Sequence, residues 1–441
     1  MSCTLDGSRR GISRRGFVGA FAAGVVALRG TRAEAATRYR VARINSNDPY
    51  SGTMNALAAS GEFPDVAGRS VVIKPNLVLP RTSDTGVTTD PEVVRAVVDQ
   101  ALALGAAGIT IVEAGVNGAN FSGCGYDLFN TYDPRVALAD VSFDPGTFTL
   151  LPHTSASPPQ AYGGIYLPAV VLDPGTVFIS VGKLKTHQET MATLSLKNLF
   201  GLPPFAPYLD PTRENFRPRY LLHDRSVGQA IAGLALARPI DYAVVDGVWG
   251  LEGDGPADIT GGTPVRANTI VAGSNAVAVD VACLDIMGIS RETVQHLDYA
   301  YLNGLGPYDL RQIDLVGDVI SIPAFARPSA IPLKIWFPKV NPTQFSPGTG
   351  GKVAVAYQLL EAAQVQVQIL LTTDRLPSQT AIRALQPWAD MTAGVFRLSW
   401  DGRDEAGRLV PPGVYGVRAQ TRRAPSDTIV GSGINWTMVM A

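Results

Sequence analysis

The sequence predicts an α/β domain with a largely parallel sheet flanked by helices, followed by an all-β immunoglobulin-like sandwich. Continuous apolar runs alternate with helix-like segments in the first part, as in strands that are covered on both faces. In the last part apolar and polar residues alternate, as in half-buried antiparallel strands. We therefore predict a signal peptide at 1–36, an α/β domain at 37–320, a Pro-rich linker at 321–347 and a sandwich at 348–441.

The N-terminal segment has the features of an export signal. Arg14 and Arg15 precede a short apolar stretch, and the small-residue sequence Ala-Glu-Ala follows at 33–35. The stretch is shorter than the roughly 20 apolar residues of a spanning helix. The order of residues 13–18 resembles the twin-arginine signal, and an ordinary secretory signal is the alternative. We expect a periplasmic or extracellular protein without a transmembrane segment after signal removal.

The composition excludes some classes of partner and cofactor. The 37 basic and 38 acidic residues give a net charge of −1, so nucleic acid is not an expected partner. Cys3 lies in the signal, and Cys124 and Cys283 either form one disulfide or remain buried thiols. An iron–sulphur cluster ligated by four cysteines of this chain is excluded.

The elements of the α/β domain can be assigned in order along the chain. A strand at 70–76 is followed by a helix that begins after the N-cap Asp90 and ends at Gly105. A strand at 109–114 completes a parallel βαβ unit. Further strands are predicted at 176–183 and 240–247. The segment at 268–288 is predicted to form a strand and then a helix, with Asn275 as a possible N-cap. The Gly- and Pro-rich stretch at 116–172 is interpreted as an insertion or cap.

Lys183, Lys185 and His187 follow the strand at 176–183, and the next helix is predicted to begin near Glu189 or Thr190. Parallel strands deliver their carboxyl ends to the ligand crevice of an open sheet. Lys197 can reach back to that crevice from the helix. These groups suit an anionic ligand, and solvated lysines with a polar loop histidine are the alternative. We predict catalytic roles for His187, Lys185 and Lys197, and a ligand-binding role for Lys183.

Other strand ends carry further candidates. Lys74 and Asn76 end the strand at 70–76 and are predicted to bind the ligand, although Asn76 is equally typical of a turn. Asp246 and Glu252 lie on a Gly-rich segment after a strand, where carboxylates bind a divalent metal or transfer protons. Loop solvation is the alternative. Asp280 falls on an apolar helix, so its carboxylate needs a partner, and we expect a nearby lysine.

These segments resemble the domain-of-unknown-function family three-hundred-and-sixty-two over about residues 65–318, most specifically in "KLKTH" and "LKNLFG". The resemblance implies ligand-binding roles for Thr186 and Asn198 as well. Some family members carry ferredoxin-type iron–sulphur modules, which implies redox chemistry, but this chain lacks their cysteines. The resemblance marks as characteristic positions Lys183, Lys185, Thr186, His187, Lys197, Asn198, Asp246, Gly255 and Asp280.

The C-terminal part resembles the immunoglobulin-like domain of flagellar hook-capping proteins. The similarity lies in the stretches "FSPGTGGKVAVAYQL" and "WDGRDEAGRLVPPGVYGVRA". It implies a spacer, or an attachment domain in the cell envelope, rather than a catalytic role.

Three functions remain open from the sequence. The first is an exported enzyme that binds an anionic small molecule or an unidentified cofactor, with redox chemistry, a divalent metal and a redox partner protein as options. The second is an isomerase or lyase that transfers a proton. The third is a non-catalytic envelope protein that binds a ligand or has a structural role. Both enzyme hypotheses require convergence around one cavity of Lys74, Lys185, His187, Lys197 and Asp246.

Overall fold

The computed structural model describes residues 38–116, 118–151, 163–208, 219–307, 309–328, 339–359, 362–373, 376–422 and 429–441. The predicted signal peptide at 1–36 and the central part of the predicted linker lie outside these residues. Arg38–Ala441 form one compact unit. In the described part of the chain no helix combines the length and apolarity needed to cross a membrane.

A nine-stranded sheet forms the centre of the α/β part, with the strand order β11-β1-β10-β9-β7-β2-β3-β4 and β8 paired to β7. Strands β2, β3, β4, β7 and β9 are parallel, whereas β10 runs antiparallel to β1 and β9. Strands β5 and β6 form a separate pair. The strands are β1 Tyr39–Asn45, β2 Ser70–Pro75, β3 Gly108–Glu113, β4 Val136–Asp140, β5 Thr147–Leu150, β6 Gly164–Leu167, β7 Val177–His187, β8 Met191–Ala192, β9 Tyr242–Gly253, β10 Gly262–Gly273 and β11 Ile313–Gly317.

Three of the described helices, α1, α2 and α6, begin where a side chain accepts a hydrogen bond from one of the first free N–H groups. Asp90 accepts a hydrogen bond from Glu92 N at the start of α2, and Asn275 accepts one from Ala278 N at the start of α6. Both caps are those expected from the sequence. The helices are α1 Pro49–Ser60, α2 Pro91–Ala103, α3 Ala169–Leu172, α4 Leu194–Asn198, α5 Tyr220–Ala237, α6 Ala276–Met287 and α7 Gln295–Leu302.

The two faces of the sheet are covered by different helices. Val71, Ile73 and Ile179 belong to a core with α1 and α2, which we call the α2 face. Val72 and Phe178 point the other way into a core with α4, α5 and α6, which we call the α6 face. Side chains alternate between the two faces along a strand. Odd-numbered and even-numbered residues of β2 and β7 are therefore expected on opposite faces. Each fully buried Val or Ile contributes roughly 1.5–3 kcal/mol to folding.

The segment after β7 differs from the expected helix beginning near Glu189 or Thr190. Thr186 and His187 pair with Ala192 and Met191 in a short hairpin, so helix α4 begins only at Leu194. A helix is therefore present as predicted, but its predicted starting point is wrong. The chain first forms the hairpin in which residues 191 and 192 pair with β7.

The C-terminal part is all-β, as the sequence predicts. One sheet has the order β12-β14-β17 and the other β13-β19-β18-β15-β16, with a shared core that includes Val355, Val367, Trp400 and Tyr415. The strands are β12 Lys339–Asn341, β13 Gln344–Phe345, β14 Val353–Leu359, β15 Ala363–Thr373, β16 Leu376–Met391, β17 Gly394–Trp400, β18 Gly413–Arg422 and β19 Ile429–Val439.

The structure shows how the predicted insertion and the C-terminal part contact the rest of the α/β part. Within the insertion at 116–172, β4 extends the central sheet beside β3. The C-terminal part contacts α5, where the buried amide of Gln229 accepts a hydrogen bond from Ile434 N at 2.9 Å and donates to Ile434 O at 3.2 Å. Cys124 and Cys283 are both buried and free.

Candidate functional site

On the α6 face, two neighbouring strands end in an ion pair. Lys74 Nζ at the end of β2 lies 2.7 Å from Glu113 Oε1 at the end of β3, and both side chains are buried. Glu113 also accepts hydrogen bonds from Leu77 N at 2.7 Å and Ala114 N at 2.8 Å. Burial lowers the pKa of Lys74, and Glu113 opposes that effect. The pair fixes the chain where it leaves both strands.

Asn198 connects this pair to helix α4. Its Nδ2 donates to Lys74 O at 2.9 Å and to Ser180 Oγ at 3.0 Å, and its Oδ1 accepts from Asn76 Nδ2 at 3.1 Å. Asn76 Oδ1 is buried and has no hydrogen-bond partner among the described residues. Asn76 thus provides a buried acceptor beside the Lys74 ion pair.

On the α2 face, a second ion pair lies where the regular pairing of β7 with β9 ends. Lys183 Nζ lies 2.7 Å from Asp246 Oδ2 of β9, and both side chains are fully buried. Asp246 also accepts hydrogen bonds from Asp90 N at 2.9 Å and Val248 N at 3.1 Å. Burial, and then the charge of Asp246, raise the pKa of Asp90. The Asp246 carboxylate is therefore committed to Lys183 and to backbone N–H groups.

Lys185 follows a register shift between β7 and β9, in which the extra residues belong to β9, and it lies in a different environment. Its Nζ donates to Val87 O at 2.9 Å and Pro256 O at 3.2 Å, and the side chain is buried. Within the described residues no carboxylate contacts Lys185, unlike Lys74 and Lys183.

The pKa of Lys185 is lowered well below its usual value. Burial is the largest cause, followed by the positive charges of Lys197 and Lys183; a smaller lowering comes from Lys74, and Glu113 acts in the opposite direction. Groups from both faces of the sheet thus act on this one amine. Lys185 therefore interacts electrostatically with charged groups of both ion pairs.

The remaining candidates hold local structure around Lys185. His187 Nδ1 accepts a hydrogen bond from Glu189 N at 3.0 Å, so a neutral imidazole carries its proton on Nε2. Thr186 Oγ1 lies 2.8 Å from Gly253 O, which connects β7 to the end of β9. Lys197 Nζ lies 5.4 Å from the centre of the Phe200 ring, a cation–π contact.

The two predicted metal ligands are not brought together. Asp246 and Glu252 are six residues apart on β9, a separation of roughly 20 Å along an extended strand. Glu252 Oε2 instead accepts a hydrogen bond from Ala326 N at 2.8 Å. The described residues contain no group of three or more His, Cys, Asp or Glu side chains arranged for a metal ion. Asp246 and Glu252 therefore do not fit a shared divalent cation.

Two partners of the site differ from expectation. Glu113, which sequence reasoning missed, ends the predicted strand at 109–114, so the argument applied to Lys74 would have found it. The expected lysine partner of Asp280 is wrong. Its carboxylate oxygens instead accept hydrogen bonds from Ser195 N at 2.8 Å and Leu196 N at 3.0 Å.

The strand ends therefore meet at one edge of the sheet but on two faces. Lys74 and Asn198 lie on the α6 face, whereas Lys183 and Asp246 lie on the α2 face. The described contacts divide these residues between two ion-paired clusters, and charges from both clusters act on Lys185. That division follows from side-chain alternation along β2 and β7, and the regular pairing of β7 with β9 ends before Lys185.

Comparisons with known proteins found a sequence relative and similar solved structures. The thylakoid-associated protein sll1697 of Synechocystis sp. is 26% identical over 261 residues, which cover 58% of this chain and 74% of that protein. Among solved structures, FlgD from P. aeruginosa is 23% identical with a TM-score of 0.17, covering 20% of this chain and 62% of that chain. PorZ of Porphyromonas gingivalis is 22% identical with a TM-score of 0.15, covering 24% of this chain and 11% of that chain. Structural likeness at these TM-scores carries no argument here.

The family comparison concerns the residues that build the site. Strands β2, β3, β7 and β9 and helices α4 and α6 contribute most of the side chains described above, and they lie between Ser70 and Met287. The family described as "Domain of unknown function (DUF362)" matches residues 71–285, which confirms the predicted family resemblance over the stretch that forms the candidate site.

Proposed function

We propose that the α/β part binds an anionic small molecule at the carboxyl edge of the sheet and transfers a proton through Lys185. The observation that carries the proposal is the environment of Lys185: a buried amine held by two backbone carbonyls and contacted by no carboxylate among the described residues. This favours the isomerase or lyase hypothesis. The redox hypothesis rests on family resemblance alone.

The three strand-end lysines differ in the chemistry they support. Lys74 and Lys183 each pair with a carboxylate at 2.7 Å, which indicates a structural role. Lys185 lacks that compensation, so burial favours its neutral amine. A neutral amine is a base near pH 7, and an anion bound nearby would favour its protonated form.

The reaction class follows from this pair of properties. The Lys185 amine takes a proton from a carbon next to a carboxylate of the ligand and becomes an ammonium, and the C–H electron pair stays on the ligand. The positive charge of Lys197, which acts on Lys185, stabilises the resulting negative charge. If the proton returns to the opposite side of the carbon, the reaction is an isomerisation. If instead the former C–H electron pair forms a C=C bond while a β-substituent leaves with the electron pair of its own bond to carbon, the reaction is that of a lyase.

Hydrogen–deuterium exchange into candidate ligands tests the proposal without knowledge of the complete reaction. The mature protein is incubated in D₂O with malate, citrate, malonate and 2-oxoglutarate, and loss of C–H signals is followed by NMR. We expect catalysed exchange in at least one acid, and no exchange with Lys185→Met. Lys352→Met, which removes an exposed lysine of the C-terminal part, is the matched control.

The outcomes separate the alternatives. Exchange that persists in Lys185→Met would overturn the role of Lys185. Binding of an acid by calorimetry without any exchange would favour the non-catalytic ligand-binding protein. If the protein neither binds any of the four acids nor catalyses exchange in them, the proposal is overturned.

We also propose that the segment at 1–36 exports the protein and that the C-terminal part attaches it in the cell envelope. The support is the Arg14–Arg15 pair before a short apolar stretch and the resemblance of the last ninety or so residues to a hook-capping immunoglobulin-like domain. A reporter fused after residue 37 should be exported, and the double variant Arg14→Lys, Arg15→Lys should retain it in the cytoplasm. Equal export of both fusions would contradict the twin-arginine route.

A further inference from the structure

We infer that Asp280 is a positioning residue that holds the segment Met191–Leu196 against the sheet and thereby sets Lys197 and Asn198 at the site. Its consequence for ligand binding rests on the proposed function. The position of the segment itself is independent of any ligand.

The segment has a strained backbone. Met191 has φ 67° and Leu194 has φ 53°, and neither is a glycine. A side chain in the left-handed region costs about 1–2 kcal/mol, so such residues persist only where surrounding contacts fix them. Two of them within four residues indicate that this turn is held in place by the rest of the fold.

Asp280 provides the contact from the helix side. It projects from α6, is fully buried, and its two carboxylate oxygens accept hydrogen bonds from Ser195 N at 2.8 Å and Leu196 N at 3.0 Å. Burial raises the pKa of Asp280 to about 7, so the fold holds this carboxylate at an energetic cost. An asparagine would offer one acceptor oxygen where the carboxylate offers two.

The sheet provides the contact from the other side. A Cβ atom at Gly182 of β7 would lie 2.7 Å from Leu194 O, so only glycine leaves room for the segment. Ser180 Oγ on the same strand donates to Ser195 O at 3.1 Å. The segment is therefore fixed between β7 and α6.

Lys197 and Asn198 follow directly after the fixed segment. The Asn198 amide depends on this placement, because its hydrogen bonds to Lys74 O and Ser180 Oγ are 2.9 Å and 3.0 Å long. A displacement of about 1 Å breaks such contacts, since hydrogen bonds weaken steeply beyond about 3.5 Å. Loss of the Asp280 contact should therefore affect the site without removing any residue that contacts the ligand.

The test compares Asp280→Ala, Asp280→Asn and Gly182→Ala with Asp285→Asn, which changes a more exposed carboxylate on the same helix. Hydrogen–deuterium exchange measured by mass spectrometry reports the peptide containing residues 190–199. We expect exchange of this peptide to be about tenfold faster in Asp280→Ala, less accelerated in Asp280→Asn and unchanged in Asp285→Asn. Sulfate affinity, measured by calorimetry, should fall in the same order, and Gly182→Ala should act like Asp280→Ala.

Three results would overturn the inference. The first is unchanged exchange of the 190–199 peptide in Asp280→Ala. The second is an equal acceleration of exchange in peptides of β2 and α2. The third is faster exchange of the 190–199 peptide alone, with a sulfate affinity equal to that of the wild type. If wild-type protein binds no sulfate and only the 190–199 peptide loosens in Asp280→Ala, the positioning role stands and the anion-binding proposal fails.

Discussion

The ion pairs on the two faces of the sheet each neutralise a buried lysine, but they are connected to different parts of the fold. In each, a lysine at the end of a buried strand faces, at 2.7 Å, a carboxylate on the adjacent strand: Lys74 with Glu113, and Lys183 with Asp246. The first pair is connected through Asn198 to helix α4, which carries Lys197. The second is connected to backbone N–H groups of Asp90 and Val248.

This comparison teaches that a strand-end lysine is not by itself a catalytic signal. A lysine that pairs with a carboxylate of the adjacent strand has a structural role. A buried lysine without such a partner is a candidate for proton transfer. Lys185 is the exception that defines the candidate site, since its partners are backbone carbonyls. The predictions below test the difference between the paired lysines and Lys185.

The largest effect is expected from Asp246→Ala on the α2 face. The variant leaves the Lys183 ammonium buried without its carboxylate, and it leaves Asp90 N and Val248 N without their acceptor. Breaking such a buried pair costs about 3–5 kcal/mol in the free energy of unfolding, measured by urea denaturation. Asp258→Ala, in a more exposed pair with Arg81, should cost less than about 1 kcal/mol. Equal losses would contradict a structural role of the Lys183–Asp246 pair.

The pH dependence of stability should report Asp280. Its pKa is about 7 in the folded protein and 3.8 when unperturbed, so between these values the folded state holds a proton that the unfolded state has released. The free energy of unfolding should therefore fall as pH rises from about 4 to about 7, by up to about 4 kcal/mol. Asp280→Asn should remove this contribution, as measured by urea denaturation across that range. A difference curve between the two proteins that is flat with pH would refute it.

A smaller loss is expected when the Lys74 pair is crowded. A Cβ atom at Gly201 would lie 2.5 Å from Glu113 Oε1 and 2.8 Å from Lys74 Nζ. Both atoms are held by their mutual contact, so Gly201→Ala should cost about 1–3 kcal/mol in thermal or urea unfolding. Gly348→Ala, where no atom lies within 4 Å of the new Cβ, should change stability by less than about 0.5 kcal/mol. Similar values for the two variants would argue against a rigid ion pair.

The smallest change in stability, with the largest change in function, is expected from Lys185→Met. Removal of a buried amine without a carboxylate partner should leave the free energy of unfolding unchanged or raise it. The lowered pKa makes wild-type stability rise with pH between the folded pKa and the unfolded value of 10.5, because only the unfolded state holds the proton there. Lys185→Met should lose this rise in urea denaturation from pH 7 to 10. A loss of stability as large as that of Asp246→Ala would place Lys185 with the paired lysines.

Local patterns in the sequence determined much of the fold. The caps at Asp90 and Asn275, the parallel strands around the first βαβ unit, and the all-β C-terminal part follow from periodicity and capping, which depend on residues close in the chain. The location of the lysines at one edge of the sheet follows from the same patterns, because parallel strands end at a common edge.

Only the tertiary structure decided the partners of those lysines. The pairing of Lys74 with Glu113 and of Lys183 with Asp246 depends on strand order and register, which bring together residues 39 and 63 positions apart. The hairpin after His187 likewise displaced the predicted helix start, and the packing of α6 on α4 gave Asp280 backbone partners instead of a lysine. Electrostatic environment is a property of three-dimensional neighbours, so the sequence could place Lys185 and Lys183 at this edge but could not show that only Lys183 has a carboxylate partner among the described residues.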